Sequence, residues 1–340
     1  MGSVKDLKVI TAAITDKCGL GLFTFSDRYS VFDWGEMPDM IKDKGTALCI
    51  IGAYLCEELE KQGIGTHYLG LLEDGQSKKL ADMKGPSNQM QVRLLNVVKL
   101  PITGDTYDYS AYHEGMKNYL IPLEIIYRNS LPEGASVFKR LQNGSLTLED
   151  IGLKEMPLPG MKLDPPLFDV STKLEATDRY INWNEAQKIS GLDNIQMKQL
   201  QDKLLFLDKM ITAMVAKLGL INEDGKFEFG IDDNKRMIVV DVLGTPDECR
   251  FTYDSIPVSK EIARIWYRKS EWYIKVEEAK KKEKIEWKKY VDKGPDLLPP
   301  RLAELISSLY LAFCNELTGR QWFEAPALKS ILAELKTFIK

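Results

Sequence analysis

Asp224-Gly225-Lys226-Phe227-Glu228-Phe229-Gly230 is followed by the polar run Ile231-Asp232-Asp233-Asn234-Lys235-Arg236, the β-branched stretch Met237 to Leu243, and Gly244-Thr245-Pro246-Asp247-Glu248-Cys249-Arg250. Strict alternation sets Lys226 and Glu228 on one face of a strand and Phe227 and Phe229 on the other. Asp224-Gly225 is a turn signal, residues 231 to 236 supply a second turn, and Met237 to Leu243 reads as the return strand of a β-hairpin carrying a single acid, Asp241. With the turn centred near Asn234, Asp241 falls opposite or close to Glu228 on the same face. Like charges facing each other destabilise a sheet and ask for a cation. Oxygen ligands without histidine favour Mg²⁺, which in such places also holds substrate phosphates. The bland alternative is a pair of carboxylates on a solvated hairpin face. Arg250, delivered by the tight turn that starts at Gly244, argues against it, because a guanidinium suits a phosphate or a carboxylate.

Two further stretches extend this chemistry. Ile121-Pro122-Leu123-Glu124-Ile125-Ile126-Tyr127-Arg128 reads as a buried strand ending in arginine, and Gly134-Ala135-Ser136 is a small-residue loop whose N–H groups and hydroxyl suit an anion. Ser26-Asp27-Arg28-Tyr29-Ser30-Val31-Phe32-Asp33 sets polar side chains just after an apolar strand, equally well explained as a salt-bridged turn.

Composition narrows the classes. The chain has 340 residues, 44% of them hydrophobic and 28% charged, with a formal net charge of -4, as in an ordinary globular protein with no global attraction for nucleic acid or anionic membrane. Five scattered cysteines without a CxxC suggest reduced thiols, and His67 and His113 stand in no ligand or triad spacing, so both read as structural. The first residues hold no secretory signal, Asp6 occupies the position where a myristoylation motif needs Ser or Thr, and no apolar run approaches the roughly 20 residues that span a bilayer. A soluble, cytoplasmic protein is expected.

Along the chain, strands are expected at Leu7 to Ile14, Gly21 to Phe25 and Met90 to Leu100, with an amphipathic helix at Thr46 to Gln62. Residues 101 to 118 read as a Tyr-rich excursion, Tyr119 to Tyr127 as a strand, and Pro157 to Pro166 as an irregular crossing. The spacing of Leu200, Leu204, Leu207, Ile211 and Met214 predicts one long helix over 184 to 218. Another is expected from Val258 into the Lys275 to Lys293 tract, whose interleaved Glu and Lys read as a solvated face rather than a nucleic-acid surface. A terminal helix spans about 301 to 317 before Thr318-Gly319.

In this order the segments resemble the SAICAR synthetase (phosphoribosylaminoimidazole-succinocarboxamide synthase) family. The resemblance runs from Gly2-Ser3-Val4-Lys5 through Ser26 to Asp33, Lys44-Gly45, Pro122-Leu123-Glu124 to Arg128, and Gly134 to Ser136. It continues through Pro165-Pro166-Leu167-Phe168-Asp169 with Thr172-Lys173 and Asp178, then Asp224 to Gly230, and Thr245-Pro246-Asp247 to Arg250. It implies an α+β, two-lobed fold of ATP-grasp or kinase-like type with antiparallel sheets and packed helices. A small β-rich nucleotide-covering lobe would occupy 1–118, and a larger lobe with the metal and substrate site 119–340.

The activity implied is ATP-dependent ligation of CAIR (5-aminoimidazole-4-carboxylate ribonucleotide) to L-aspartate through an acyl phosphate, in purine biosynthesis. ATP and Mg²⁺ are the implied cofactors, and a homodimer is an expectation from the family alone. Carried over by position, Glu228 and Asp241 resemble the metal carboxylates and Lys5 a nucleotide-phosphate contact. Arg128, Ser136 and Arg250 resemble the ribonucleotide-phosphate cluster, and Lys226 a cation beside the reacting carboxylate. Asp33, Asp224, Lys173 and Asp178 are further candidates. Val242 stands where the family often has Glu, and Ser3 where it often has Lys. The alternatives are a small-molecule kinase on the same frame, which has no need of the ribonucleotide-phosphate cluster, and a protein that has lost activity.

Overall fold

The structure is a computed structural model that describes residues 4–104, 106–283 and 286–339. It begins with strands β1 (Lys5–Thr11) and β2 (Gly19–Phe25), helix α1 (Lys44–Lys61), and strands β3 (Tyr68–Glu73), β4 (Gln76–Lys78) and β5 (Gln89–Leu94). These strands form an antiparallel sheet in the order β1-β2-β5-β3-β4. The chain continues with a two-stranded pair, β6 (Ile102–Thr103) and β7 (Thr106–Tyr107), the long strand β8 (Tyr119–Leu131), helix α2 (Ser136–Gln142), and strands β9 (Met161–Thr172) and β10 (Tyr180–Ile181). Helices α3 (Trp183–Ser190) and α4 (Asn194–Ala216) precede β11 (Ile221–Ile231), β12 (Met237–Val240), β13 (Cys249–Tyr253) and β14 (Ile256–Pro257). Four helices follow: α5 (Glu261–Arg268), α6 (Glu271–Lys282), α7 (Pro300–Thr318) and α8 (Leu328–Ile339). The second sheet runs β10-β9-β8-β11-β13-β14, with β12 sharing the β11 edge with β13. The architecture is α+β and two-lobed, and no described helix is long and apolar enough to cross a membrane.

One apolar core joins both sheets. Helix α1 is buried on nearly every side, as its run of Ala47, Leu48, Cys49, Ile50 and Ile51 requires, and it packs against α7. The sheets also meet through backbone: the Val239 N–H donates to the Gly65 carbonyl at 3.0 Å, the His67 N–H donates to the Val239 carbonyl at 2.9 Å, and the His67 carbonyl accepts from Arg93 at 2.7 Å. One face of β11 packs on α4, and there Phe227 stacks on Tyr127 with ring centres 4.9 Å apart. The other face carries the charged residues.

Several expectations need correction. The Asp224-Gly225 turn does not form. Both residues lie inside β11, since Asp224 pairs with Arg128 and Arg250, and a Cβ on Gly225 would lie 2.6 Å from both Tyr127 Oη and Cys249 Sγ. Residues 161 to 166 belong to β9, where Pro165 and Pro166 fall in a register break that asks for no ladder donor. The helix over 184 to 218 is two helices, because Gly191 takes φ 71° and Asp193 starts α4 with a capping box to Gln196. The stretch from Val258 to Lys293 likewise divides into α5, α6 and a short turn of 3₁₀ helix, and α8 lies beyond the expected terminal helix. The strand at 90 to 100 ends at Leu94, the return strand at Val240, and the first strand spans Lys5–Thr11 rather than 7 to 14. Gly2 and Ser3 lie outside the described residues.

Candidate active site

Between its flanking bulges β11 is regular from Asp224 to Glu228, so Asp224, Lys226 and Glu228 share a face, opposite Arg128, Ile126 and Glu124 of β8. The other edge of β11 is taken by β12 at its far end and β13 at its near end. Residues 241 to 248 therefore leave the sheet between them, level with Lys226. A cavity opens on each side of this gap.

The first, about 440 Å³, is walled by Leu7, Val9, Phe23, Leu94, Leu120 and Val240 and has Lys5, Lys173, Glu228 and Asp241 at its charged end. Val240, not Asp241, sits directly across from Glu228. Simple alternation would then send the Asp241 side chain to the opposite face, but Asp241 takes φ 60° and its carboxylate pairs with Lys5. Glu228 pairs with Lys173 at 2.6 Å. Burial first, and then the Asp241 charge, raise the Glu228 carboxyl, with Lys173 and Lys226 opposing. Asp241 is pushed up by burial but pulled below the carboxylate range by Lys5. A buried carboxylate beside a half-buried one whose charge raises its cost of ionisation, both built only from oxygen, suits a hard divalent cation. Among the described residues no third His, Cys, Asp or Glu joins them, so further ligands would come from phosphate oxygens and water.

The second cavity, about 560 Å³, has Arg128, Lys226, Arg250, Lys260 and Arg264 against Asp224, Asp247 and Glu248, with Ser136 and Tyr180 on its wall. Arg128 donates from Nε to Asp169 at 3.0 Å, from Nη1 to Asp224 at 3.3 Å and from Nη2 to Ser136 Oγ at 3.0 Å. Arg250 donates from Nε to the same Asp224 at 2.7 Å. Ser136 Oγ also meets the Tyr180 hydroxyl at 2.8 Å, and Arg140 reaches Asp169 at 2.9 Å. Arg128, Ser136, Arg250 and Asp224 thus form one cluster with an excess of cation, the electrostatics an anion needs.

Lys226 lies between the cavities, 2.5 Å from Glu124, 3.3 Å from Glu248 and 3.6 Å from Glu228. Burial pulls its pKa down, yet Glu248, Glu124 and Glu228 more than offset this and hold it well above the ordinary lysine range. It is a fixed cation. Lys173 and Asp178 lie on the loop after β9, which the 101 to 118 excursion braces: Tyr107 Oη accepts from the Ala176 N–H, and Tyr109 Oη donates to Glu175. Burial first, then Glu124 and more weakly Asp33, raise the Asp178 carboxyl. Asp33 has its side chain 86% exposed, takes φ 59°, and pairs with Lys280 at 2.9 Å. The rest of its segment is a structural turn. The Asp27 carboxylate accepts from the N–H groups of Asp43 and Gly45 at the start of α1, and Arg28 pairs with Asp6.

Sequence reasoning missed Glu124, Glu248, Asp169 and Tyr180 as site residues. A glutamate inside the apolar strand 121 to 127 was a usable signal, since a buried charge needs partners. Val242, in the place of a common Glu, is buried against α1, where its Cγ1 would lie 3.0 Å from a Cβ on Gly52. Lys44 is buried with Asp247 at 2.7 Å, tying α1 to the turn that carries Glu248.

A family model described as SAICAR synthetase matches residues 8–280. A protein of Archaeoglobus fulgidus, provisionally named phosphoribosylaminoimidazole-succinocarboxamide synthase, is 49% identical over 340 residues, all of both chains. The synthase of that name from Thermoplasma acidophilum is 32% identical over 310 residues, covering 88% of this chain and 94% of its own. Among solved structures, the SAICAR synthase of Saccharomyces cerevisiae complexed with SAICAR aligns over 95% of both chains with a TM-score of 0.63 at 22% identity. A SAICAR synthetase in complex with ADP aligns over 87% of this chain and 99% of its own with a TM-score of 0.55, also at 22% identity.

Proposed function

The chain belongs to the SAICAR synthetase family, and on that premise we propose that its two cavities hold the two phosphorylated substrates, with Lys226 between them. The enzyme is an ATP-dependent C–N ligase that joins CAIR to L-aspartate, giving SAICAR, ADP and phosphate in purine biosynthesis. The observation that carries the assignment of sites is the one face of β11 on which Asp224 meets two arginines, Lys226 stands in the gap, and Glu228 reaches the apolar cavity.

In this reading the purine and ribose of ATP lie in the cavity of Leu7, Val9 and Phe23, with Lys5 toward the phosphates. Residues 1–118 serve as the covering lobe and 119–340 carry the substrate end. Glu228 and Asp241 would hold Mg²⁺, which supplies charge neutralisation for the phosphates. Arg128, Arg250 and Ser136 take the ribonucleotide phosphate. A carboxylate resists amide formation until one of its oxygens becomes a leaving group. The γ-phosphoryl group therefore transfers to the CAIR carboxylate, the aspartate amine attacks the acyl carbon, and phosphate departs with that oxygen. Lys226, protonated throughout, stabilises negative charge and cannot serve as the base. Asp178, its carboxyl raised, is the proton acceptor best matched to the amine, with Asp33 and Lys173 beside it. A cytoplasmic setting is carried over as the expectation from the sequence, a homodimer rests on the family alone, and sedimentation tests the latter.

The test is ADP release measured with CAIR labelled with ¹⁸O in its carboxylate, with aspartate present and withheld. Release that depends on CAIR, with label appearing in phosphate only when aspartate is present, is expected. Release that ignores both substrates would overturn the assignment in favour of another ATP-using activity.

A further inference from the structure

Five side chains beside the second cavity close into a ring. Arg128 donates from Nε to one oxygen of Asp169 at 3.0 Å, and Arg140 donates from Nη1 to the other at 2.9 Å. The Arg140 guanidinium lies over the Tyr180 ring, its carbon 3.9 Å from the ring centre. The Tyr180 hydroxyl meets Ser136 Oγ at 2.8 Å, and Ser136 Oγ accepts from Arg128 Nη2 at 3.0 Å, which returns the circuit to its start. Arg128 comes from β8, Asp169 from β9, and Ser136 and Arg140 stand one turn apart on the same face of α2. Tyr180 comes from β10, which pairs with β9 only through Tyr180 and Ile181 and directly follows the loop that carries Asp178. The ring also decides where a proton points. A guanidinium can only donate, so Arg128 occupies one lone pair of Ser136 Oγ. Between the two hydroxyls the phenol is the more acidic and the better donor, so Tyr180 fills the second lone pair. The Ser136 proton is then left to face the cavity that Ser136 lines with Gly134, where an anion can accept it.

We propose that Tyr180 is a positioning residue for the phosphate end of the site: its hydroxyl turns the Ser136 proton into the cavity, and its ring seats Arg140 against Asp169, which in turn sets the Arg128 guanidinium. This rests on the reading of Arg128, Ser136 and Arg250 as the ribonucleotide-phosphate cluster, so the experiment separates the two. CAIR and ATP are varied in turn in steady-state assays of the wild type, Tyr180→Phe, Tyr180→Leu, Ser136→Ala and the double variant Tyr180→Phe/Ser136→Ala. Tyr180→Phe keeps the aromatic ring and should raise KM for CAIR about 5-fold, the worth of one hydrogen bond, with KM for ATP unchanged. Ser136→Ala should raise it at least as much, and the double variant no further than Ser136→Ala, because the phenol acts through the serine. Tyr180→Leu also removes the platform under Arg140 and should add about another 5-fold. Losses that multiply in the double variant, or a wild-type KM in Tyr180→Phe beside a weakened Ser136→Ala, overturn the role of the hydroxyl and leave the phosphate cluster standing. Tyr180→Leu no worse than Tyr180→Phe overturns the role of the ring. A wild-type KM for CAIR in Ser136→Ala overturns the proposal together with the place of Ser136 in the cluster. Should Tyr180→Leu fail to fold, Arg140→Lys tests the same arm, since it keeps a charge for Asp169 but gives up the flat face on Tyr180: a raised KM for CAIR alone supports the role of the ring, and a wild-type value overturns it.

Discussion

Arg250→Met and Arg128→Met each remove a guanidinium from the same cavity, and burial separates their outcomes. The Arg128 side chain is 3% exposed and bonds Asp169, Asp224 and Ser136, whereas that of Arg250 is 27% exposed and bonds Asp224. Without Arg250 the Asp224 carboxylate keeps Arg128 at 3.3 Å and gains water, so folding should lose only about 1 kcal/mol. Substrate phosphate, in contrast, loses a charge-assisted partner worth about 2 to 3 kcal/mol, which is about 30- to 150-fold in KM. Arg128→Met strips a buried network and should cost about 3 to 5 kcal/mol of folding stability. The assay is steady-state kinetics of Arg250→Met with CAIR and ATP varied in turn, alongside urea melts of both variants. An Arg250→Met enzyme whose KM for ATP rises while that for CAIR stays put would refute the reasoning, because the arginine cluster would then serve the nucleotide.

Asp241→Asn should abolish turnover with little loss of folding, since asparagine accepts left-handed backbone readily; full activity in that variant would sink the metal assignment. Lys44→Met leaves Asp247 buried without its cation and should cost about 3 to 5 kcal/mol, much of it recovered in Lys44→Met/Asp247→Asn; a melt like the wild type's would rule this out. Burial holds His67 at about 4, against an ordinary 6.5, so below 6.5 the unfolded chain takes up a proton that the fold refuses. Stability is therefore complete above that range and falls with pH toward 4, by about 2 kcal/mol between pH 7 and 5. Urea melts of metal-free protein should show that part of the slope vanish in His67→Phe, and equal slopes would contradict it.

How much of this was legible varies with the range of the interaction. Alternation from Lys226 to Phe229 is a local property, and it identified the strand and the charged face correctly. The Asp224-Gly225 turn signal was overridden from outside: two arginines on neighbouring strands claim Asp224, and Tyr127 and Cys249 leave Gly225 room for no Cβ. The break between α3 and α4 was written in Gly191 and in the Asp193 to Gln196 box, but the hydrophobic spacing running through it masked both. Glu124 announced itself only as a charge inside an apolar strand, and Asp169 not at all, because the partners that give them roles arrive once β8, β9 and β11 are side by side. His67, read as structural from spacing alone, is built into the cavity wall by a contact between distant strands.

The uninterrupted stretch of β11 from Asp224 to Glu228, closed at each end by a bulge, also acts as a ruler. Four residue rises of extended chain set the two anion-handling ends about 13 Å apart, with Lys226 at the midpoint. Selectivity then includes length: a ligand one strand rise shorter or longer than CAIR could anchor its phosphate among the arginines and still present its carboxylate out of register with the transferring phosphoryl group.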